Sequence, residues 1–221
     1  MLKKLFPLFG LEYRQLVFPL FRKNIYSQNG EDGVITCILK KLPRIPRFVV
    51  DIGANDGITA SNSRLLIEEY GFHGLLVEPY EPAFLLLKEL YKNQHGIQVC
   101  DQAVGVSQTN GTINWHGHFQ NLPATIRDVN AVLEEFHTPK ELGFFSIDID
   151  GHDNEVLQSL DWERYRPRFV IAEIDSSSDR NLQTQLEIMD RVGYHPILHI
   201  GNVFYVRKDV AGPYFFNWKQ P

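Results

Sequence analysis

The stretch Asp51-Ile52-Gly53-Ala54-Asn55-Asp56-Gly57, directly behind the apolar run Phe48-Val49-Val50, constrains this chain more than any other. A short apolar run followed by a glycine-rich turn predicts a buried strand feeding a helix, here one that opens near Ile58. Glycines at such a turn let backbone approach a ligand closely, and a helix amino-terminus offers unpaired N–H groups. A GxGxxG dinucleotide loop needs glycine at positions 53, 55 and 58. The chain has Gly53, Asn55 and Ile58, so that fingerprint is absent. The acidic strand end argues the same way, because Asp51 repels a pyrophosphate and suits a ligand with positive charge. The alternative is an ordinary strand-to-helix turn.

Around this loop the chain alternates between apolar runs and helical periodicity. Glu31 to Lys41 reads as a helix carrying Val34, Ile35, Ile38 and Leu39, with Ser27 or Asn29 as its cap. Strands are expected at Leu75–Val77, Ile97–Cys100, Phe144–Ile147 and Phe169–Ala172. Helices are expected at Pro82–Lys92, around Val156, Leu157 and Leu160, and around Leu182, Leu186, Ile188 and Met189. His195–Ile200 and Val203–Val206 flank Gly201-Asn202, a hairpin signal, so the last two strands should be antiparallel. The pattern predicts an α/β fold: a doubly wound, mostly parallel sheet with a C-terminal antiparallel hairpin. Residues 26–221 read as one domain behind a lead segment, residues 1–25. The least regular region, Val106 to Leu142, is expected to form an insert near the site.

Ligands of such sheets bind beyond the carboxyl ends of the strands, where strand order reverses. Asp51 and Gly53 close the first strand. Glu78 closes the second, where a carboxylate accepts from both hydroxyls of a ribose. Asp101 and Gln102 follow the third, where an adenine amino group finds an acceptor. Asp148 and Asp150 follow the strand at Phe144, and Glu173 and Asp175 follow the strand at Phe169. Unpaired carboxylates this close repel, which implies a cation, protonation or splaying into solvent. Side chains alternate along a strand, so Asp148 and Asp150 share a face, as do Glu173 and Asp175. A hard oxygen site of this kind suits Mg²⁺, with Asp150 and Glu173 as the candidate ligands; a solvated acidic rim is the alternative. His152 follows Gly151 at a helix entry and is the first candidate for a general base, with Asp148 beside it. His116, His118, His195 and His199 are weaker candidates.

Taken in order, Tyr26-Ser27-Gln28-Asn29-Gly30-Glu31-Asp32, the Asp51–Gly57 loop, Val77-Glu78-Pro79, Ser146-Ile147-Asp148-Ile149-Asp150-Gly151-His152-Asp153 and Asn202-Val203-Phe204-Tyr205-Val206 resemble the FkbM-like S-adenosylmethionine-dependent methyltransferases over residues 24–208. The resemblance implies the class I, Rossmann-like methyltransferase fold, S-adenosylmethionine as cofactor, and O-methylation of a hydroxyl on a sugar or natural-product-like small molecule. It assigns Asp51, Gly53, Asn55, Gly57 and Glu78 to the cofactor, and Gln28 and Glu31 to a motif lying over it. The usual Asp-Val-Glu-Gly-x-Glu is replaced here by Asp148-Ile149-Asp150-Gly151-His152-Asp153. The site is also similar to that of the Mg²⁺-dependent sugar O-methyltransferases typified by macrocin O-methyltransferase, except that Ile174 separates Glu173 from Asp175. A cofactor-binding or scaffolding protein without turnover is the second reading, because fold alone does not fix function.

Composition narrows the setting. With 221 residues, 43% of them apolar, the chain can bury a substantial core. A net charge of −5 argues against nucleic acid as the main partner. Cys37 and Cys100 are too few for a disulfide framework and read as free thiols in a reducing, cytoplasmic compartment. No apolar run approaches the roughly 20 residues that span a bilayer. Residues 1–25 mix Lys3 and Lys4 with large apolar side chains and are expected to pack on the domain or on a second subunit; contact with a membrane surface is the alternative. Pro7, Glu12 and Arg14 argue against a signal peptide.

Overall fold

The computed structural model describes residues 23–115, 119–149, 151–174 and 179–211. The expected lead segment, His116, His118, Asp150 and Asp175 therefore lie outside the described residues, apart from the last few residues of the lead segment.

Helix α1 (Glu31–Lys41) leads into β1 (Phe48–Ile52), and α2 (Arg64–Tyr70) leads into β2 (His73–Val77). Then follow α3 (Glu81–Tyr91), β3 (Ile97–Cys100), β4 (Ala103–Gly105), β5 (Thr109–Trp115), β6 (Phe119–Asp128) and α4 (Val129–Glu135). The chain continues through β7 (Glu141–Ile147), α5 (Asp153–Ser159), β8 (Arg166–Glu173), α6 (Asp179–Arg191), β9 (Tyr194–His199) and β10 (Asn202–Arg207).

Seven strands form one sheet in the order β3-β2-β1-β7-β8-β10-β9. The first five pair in parallel, and β10 runs antiparallel to both β8 and β9, as the Gly201-Asn202 turn requires. Strand order reverses between β1 and β7. Side chains alternate across the sheet, so neighbours divide between two cores. Val50, Leu75, Phe145 and Val170 face the layer of α4, α5 and α6, whereas Val49, Leu76, Phe144 and Phe169 face α1, α2 and α3. Both faces are covered, which is why these strands read as continuous apolar runs rather than alternating ones.

Two features depart from expectation. The helix after the β1 loop begins at Arg64 rather than near Ile58. Asp56 Oδ1 accepts from the backbone N–H groups of Ile58 and Thr59 at 2.8 and 2.6 Å, and Asn55 and Ala60 hold left-handed φ values of 51° and 53°. These local bonds keep residues 55–60 in a wide turn. The irregular region contains a second sheet, ordered β4-β6-β5, with β5 and β6 antiparallel. Ser27 contributes to α1 through its hydroxyl, which accepts from Asp32 N at 3.1 Å, although Gly30 occupies the capping position. Among the described residues, no helix is long and apolar enough to cross a membrane.

Candidate functional site

A cavity of about 660 Å³ opens at the carboxyl ends of the parallel strands, beside the β1–β7 reversal. That is within the size range of small-molecule sites. Its walls are the β1–α2 loop, the end of β2, the β4 segment with the small sheet, and the turn from β7 into α5.

The β1 wall depends on glycine at one point. Gly53 has φ +87°, and a Cβ there would lie 1.9 Å from the backbone oxygen of Asp148. Only glycine lets the ends of β1 and β7 approach this closely. Asp51, 3% exposed, lies beneath this contact, and Ser63 Oγ donates to its Oδ2 at 2.5 Å. Burial raises the Asp51 carboxyl above its ordinary range, and the Ser63 hydrogen bond opposes that shift. Asp51 thus ties the strand end to the start of α2 while still lining the cavity.

Glu78 is the best-fixed carboxylate of the site. It is 4% exposed; its Oε2 accepts from Asn55 N at 2.9 Å and its Oε1 from Tyr80 N at 2.7 Å. Gly53 N and Ala54 N both donate to Val77 O, so the β1 loop is tied to the end of β2. Glu78, Asn55 and Gly53 line the cavity together, as the sequence predicts.

Gln28 also lines the cavity. Asp32 brings it there: its Oδ2 accepts from the backbone N–H groups of Ile25, Tyr26 and Ser27 at 2.6, 2.7 and 2.8 Å. Glu31 does not reach the cavity lining. It is fully buried, accepting from Asn29 N at 2.8 Å and from Asn202 Nδ2 at 3.4 Å, and so joins the motif to the β10 hairpin. Gly57 is also outside the lining: its φ is +73° and a Cβ would meet Leu87 Cδ1 at 2.7 Å, so the glycine serves packing against α3.

Asp101 and Gln102 are corrected as well. Neither lines the cavity, because β4 begins at once and pairs with β6. Gln102 Oε1 instead accepts from Arg127 Nη1 at 2.7 Å. Ala103, Val104 and Gly105 take the place expected of the two polar residues, together with Ile113 and Ile126 of the small sheet.

On the β7 side, Asp148 and His152 both line the cavity. Asp148 is pushed up to about 9 by burial, by the charge of Glu173 and by a hydrogen bond shared with Glu173. Asp153, at the first position of α5 and 3% exposed, is raised to about 6 by burial and Glu173. Both shifts are those that close, buried carboxylates produce. His152 is mostly exposed, and its Nδ1 lies 3.2 Å from Glu155 Oε2. Glu155 also lines the cavity and was legible only as the i+3 neighbour of His152. His195 and His199 lie in β9, paired with Val206 and Val203 of β10 and outside the cavity lining. Among the described residues, no group of three or more His, Cys, Asp or Glu side chains could hold a metal ion; Asp150 lies outside them.

Asp51, Glu78, Asp148 and Glu155 line the cavity, and among the described residues no lysine or arginine does. A cationic ligand fits that field. S-adenosylmethionine, with its sulfonium, ammonium and ribose, fits the lining, and a pyrophosphate does not.

No curated protein matches the chain significantly. Among solved structures, a methyltransferase FkbM from Methylobacillus flagellatus KT is similar, with 13% identity and a TM-score of 0.52 over 89% of this chain and 60% of that one. A SAM-dependent O-methyltransferase from Thermotoga maritima matches with 8% identity and a TM-score of 0.50, over 86% of this chain and 69% of that one. At such identities the likeness shows the fold, that of the class I S-adenosylmethionine-dependent methyltransferases. The chain spans about three fifths of the length of the first of these proteins. The model of the methyltransferase FkbM domain matches residues 51–196, from the acidic end of β1 into the closing hairpin. The chain belongs to the FkbM methyltransferase family.

Proposed function

We propose that this protein transfers the methyl group of S-adenosylmethionine to a hydroxyl of a sugar or natural-product-like small molecule. One observation carries the reading: a ribose-competent carboxylate, Glu78, and a base-competent pair, His152 with Glu155, line a single cavity on either side of the Gly53–Asp148 contact. Bound S-adenosylmethionine supplies an electrophilic methyl on a positively charged sulfur. Glu78 accepts from the ribose hydroxyls, and Gly53 and Asn55 offer close backbone beside it. The acceptor oxygen attacks the methyl carbon as the carbon–sulfur bond breaks, and the hydroxyl proton passes to His152. With Nδ1–H donating to Glu155, His152 Nε2 holds the lone pair that takes this proton. The small sheet adds apolar wall at Ile113 and Ile126 for the acceptor scaffold.

Mg²⁺ belongs to this reading only through Asp150 and Glu173. Burial and the charge of Glu173 favour a proton on Asp148, which eases the repulsion at this rim, so excess chelator is expected to leave turnover unchanged. Suppression by chelator with recovery on adding Mg²⁺ would make those two residues ligands. The two free thiols, Cys37 and Cys100, fit a reducing, cytoplasmic setting.

The deciding experiment is a labelled methyl-transfer screen across sugar, phenol and carboxylate acceptors. Label on a hydroxyl acceptor is expected, and His152→Ala should lower kcat by roughly 10²–10⁴-fold while leaving adenosylhomocysteine affinity intact. Label confined to carboxylates would reject O-methylation of hydroxyls. Near-normal turnover in His152→Ala would remove His152 as the base, and Asp148 could take that role only at alkaline pH, where it loses its proton.

A further inference from the structure

Asn62 is 6% exposed, lines the cavity, and its side chain makes no hydrogen bond among the described residues. Its neighbours already have partners. Ser61 Oγ accepts from Arg64 N at 3.1 Å, and Ser63 Oγ donates to Asp51. Ala60, two residues before Asn62, holds φ +53°, a conformation that a residue with a Cβ adopts only when its surroundings enforce it. A buried primary amide without a partner is costly, so an amide held toward a cavity points to a ligand there.

The chemistry of that ligand follows from the rest of the lining. With the ribose at Glu78, at the end of β2, the Ala103–Gly105 edge of β4 suits the base and the polar ends of β1 and β7 suit the amino-acid tail. The tail ends in a carboxylate and an ammonium. Its carboxylate has two walls to choose from. The β7 side presents Asp148 and Glu155, which repel it or offer it no charge complement. The β1–α2 side presents the neutral side chains of Thr59, Ser61 and Asn62, and its one carboxylate, Asp51, is buried and already accepts from Ser63 Oγ. Thr59 Oγ1 already donates to Asp56 Oδ2 at 2.8 Å, and Ser61 is engaged with Arg64. With no lysine or arginine in the described lining, a neutral donor receives the carboxylate. Asn62 is the buried side chain of that wall with donors to spare.

We propose that the Asn62 amide is a cofactor-positioning group that donates to the methionine carboxylate and so sets the depth at which the sulfonium sits. This rests on the methyltransferase reading above. Two probes separate it from a structural role. Adenosylhomocysteine carries the amino-acid tail; 5′-methylthioadenosine keeps the nucleoside and thioether but lacks the tail. By calorimetry, Asn62→Ala should weaken adenosylhomocysteine binding by roughly tenfold or more, as expected for one hydrogen bond to a charged group. Asn62→Asp, nearly isosteric, should weaken it further by setting carboxylate against carboxylate. Methylthioadenosine affinity should be unchanged in both variants. Equal losses for the two ligands would make Asn62 a loop-holding residue and overturn the proposal. Adenosylhomocysteine binding by Asn62→Asp that equals or exceeds wild type would also overturn it, placing the ammonium or solvent at the amide. Neither result touches the methyltransferase reading. A wild-type protein that binds neither nucleoside defeats that reading and this assignment together.

Discussion

Glu78 shows how a residue is fitted to its task by groups it does not itself act on. Asn55 N and Tyr80 N each hold one of its oxygens, so the carboxylate faces the cavity in a fixed orientation and loses little freedom when a ribose arrives. Glu78→Ala should therefore cost about 2–4 kcal/mol of adenosylhomocysteine binding, the worth of two charge-assisted hydrogen bonds. Calorimetry on the folded variant measures this, and unchanged affinity would remove Glu78 from the site. At this scale the sequence was informative wherever a strand end fell beside the reversal of strand order. Asp51, Gly53, Glu78 and Asp148 were legible because position along a parallel strand dictates proximity to the cavity. Asp101 and Gln102 misled because the same rule assumes that the chain leaves the sheet after β3, whereas β4 turns it into a second sheet. Asn62 carried no pattern at all. Its significance lies in burial and an unmet amide, which only packing reveals.

Elements reached the structure with unequal fidelity. The buried parallel strands and the amphipathic helices were legible because continuous apolar runs and helical spacing survive in sequence, and the hairpin because Gly201-Asn202 specifies its turn. The small sheet was not. β5 and β6 contain Asn110, Gly111, Thr112, Gln120, Asn121 and Pro123, which blur the period of two. The segment before α1 is the least conventional element and the most dependent on one side chain. Asp32 is fully buried and gathers three backbone N–H groups, which orders residues 25–28 and sets Gln28 on the cavity. Asp32→Ala should lower stability by about 2–4 kcal/mol, since one buried and two part-buried donors lose a charged acceptor at once. It should also weaken cofactor binding in the fraction that folds, through Gln28. Denaturant unfolding with a midpoint equal to wild type would show that the segment is held by other contacts.

At the scale of the whole molecule, sheet order concentrates negative charge. Placing β7 beside β8 brings Asp148, Asp153 and Glu173 to one rim of a chain whose net charge is already −5. Asp148 at about 9 and Asp153 at about 6 both bind protons more tightly in the fold than an unfolded aspartate near 3.8. Between those limits the native state therefore holds more protons than the unfolded one, and stability falls as pH rises. The contribution is fully present below about pH 4, declines through pH 6 as Asp153 ionises, and is lost through pH 9 as Asp148 follows. Other carboxylates that are lowered in the fold, such as Asp56 and Asp209, act in the opposite direction, but their effect is confined to acid. From pH 6 to 9 the rim dominates. Thermal melts across that range should show Tm decreasing, and Asp148→Asn, which keeps the shape and removes the titration, should flatten the slope and raise Tm at the alkaline end. S-adenosylmethionine should restore more of the lost stability at pH 9 than adenosylhomocysteine does, because only its sulfur bears the positive charge that an ionised rim attracts. A Tm that rises with pH in the wild type, or a slope untouched by Asp148→Asn, would show that Asp148 and Asp153 ionise without cost in the fold.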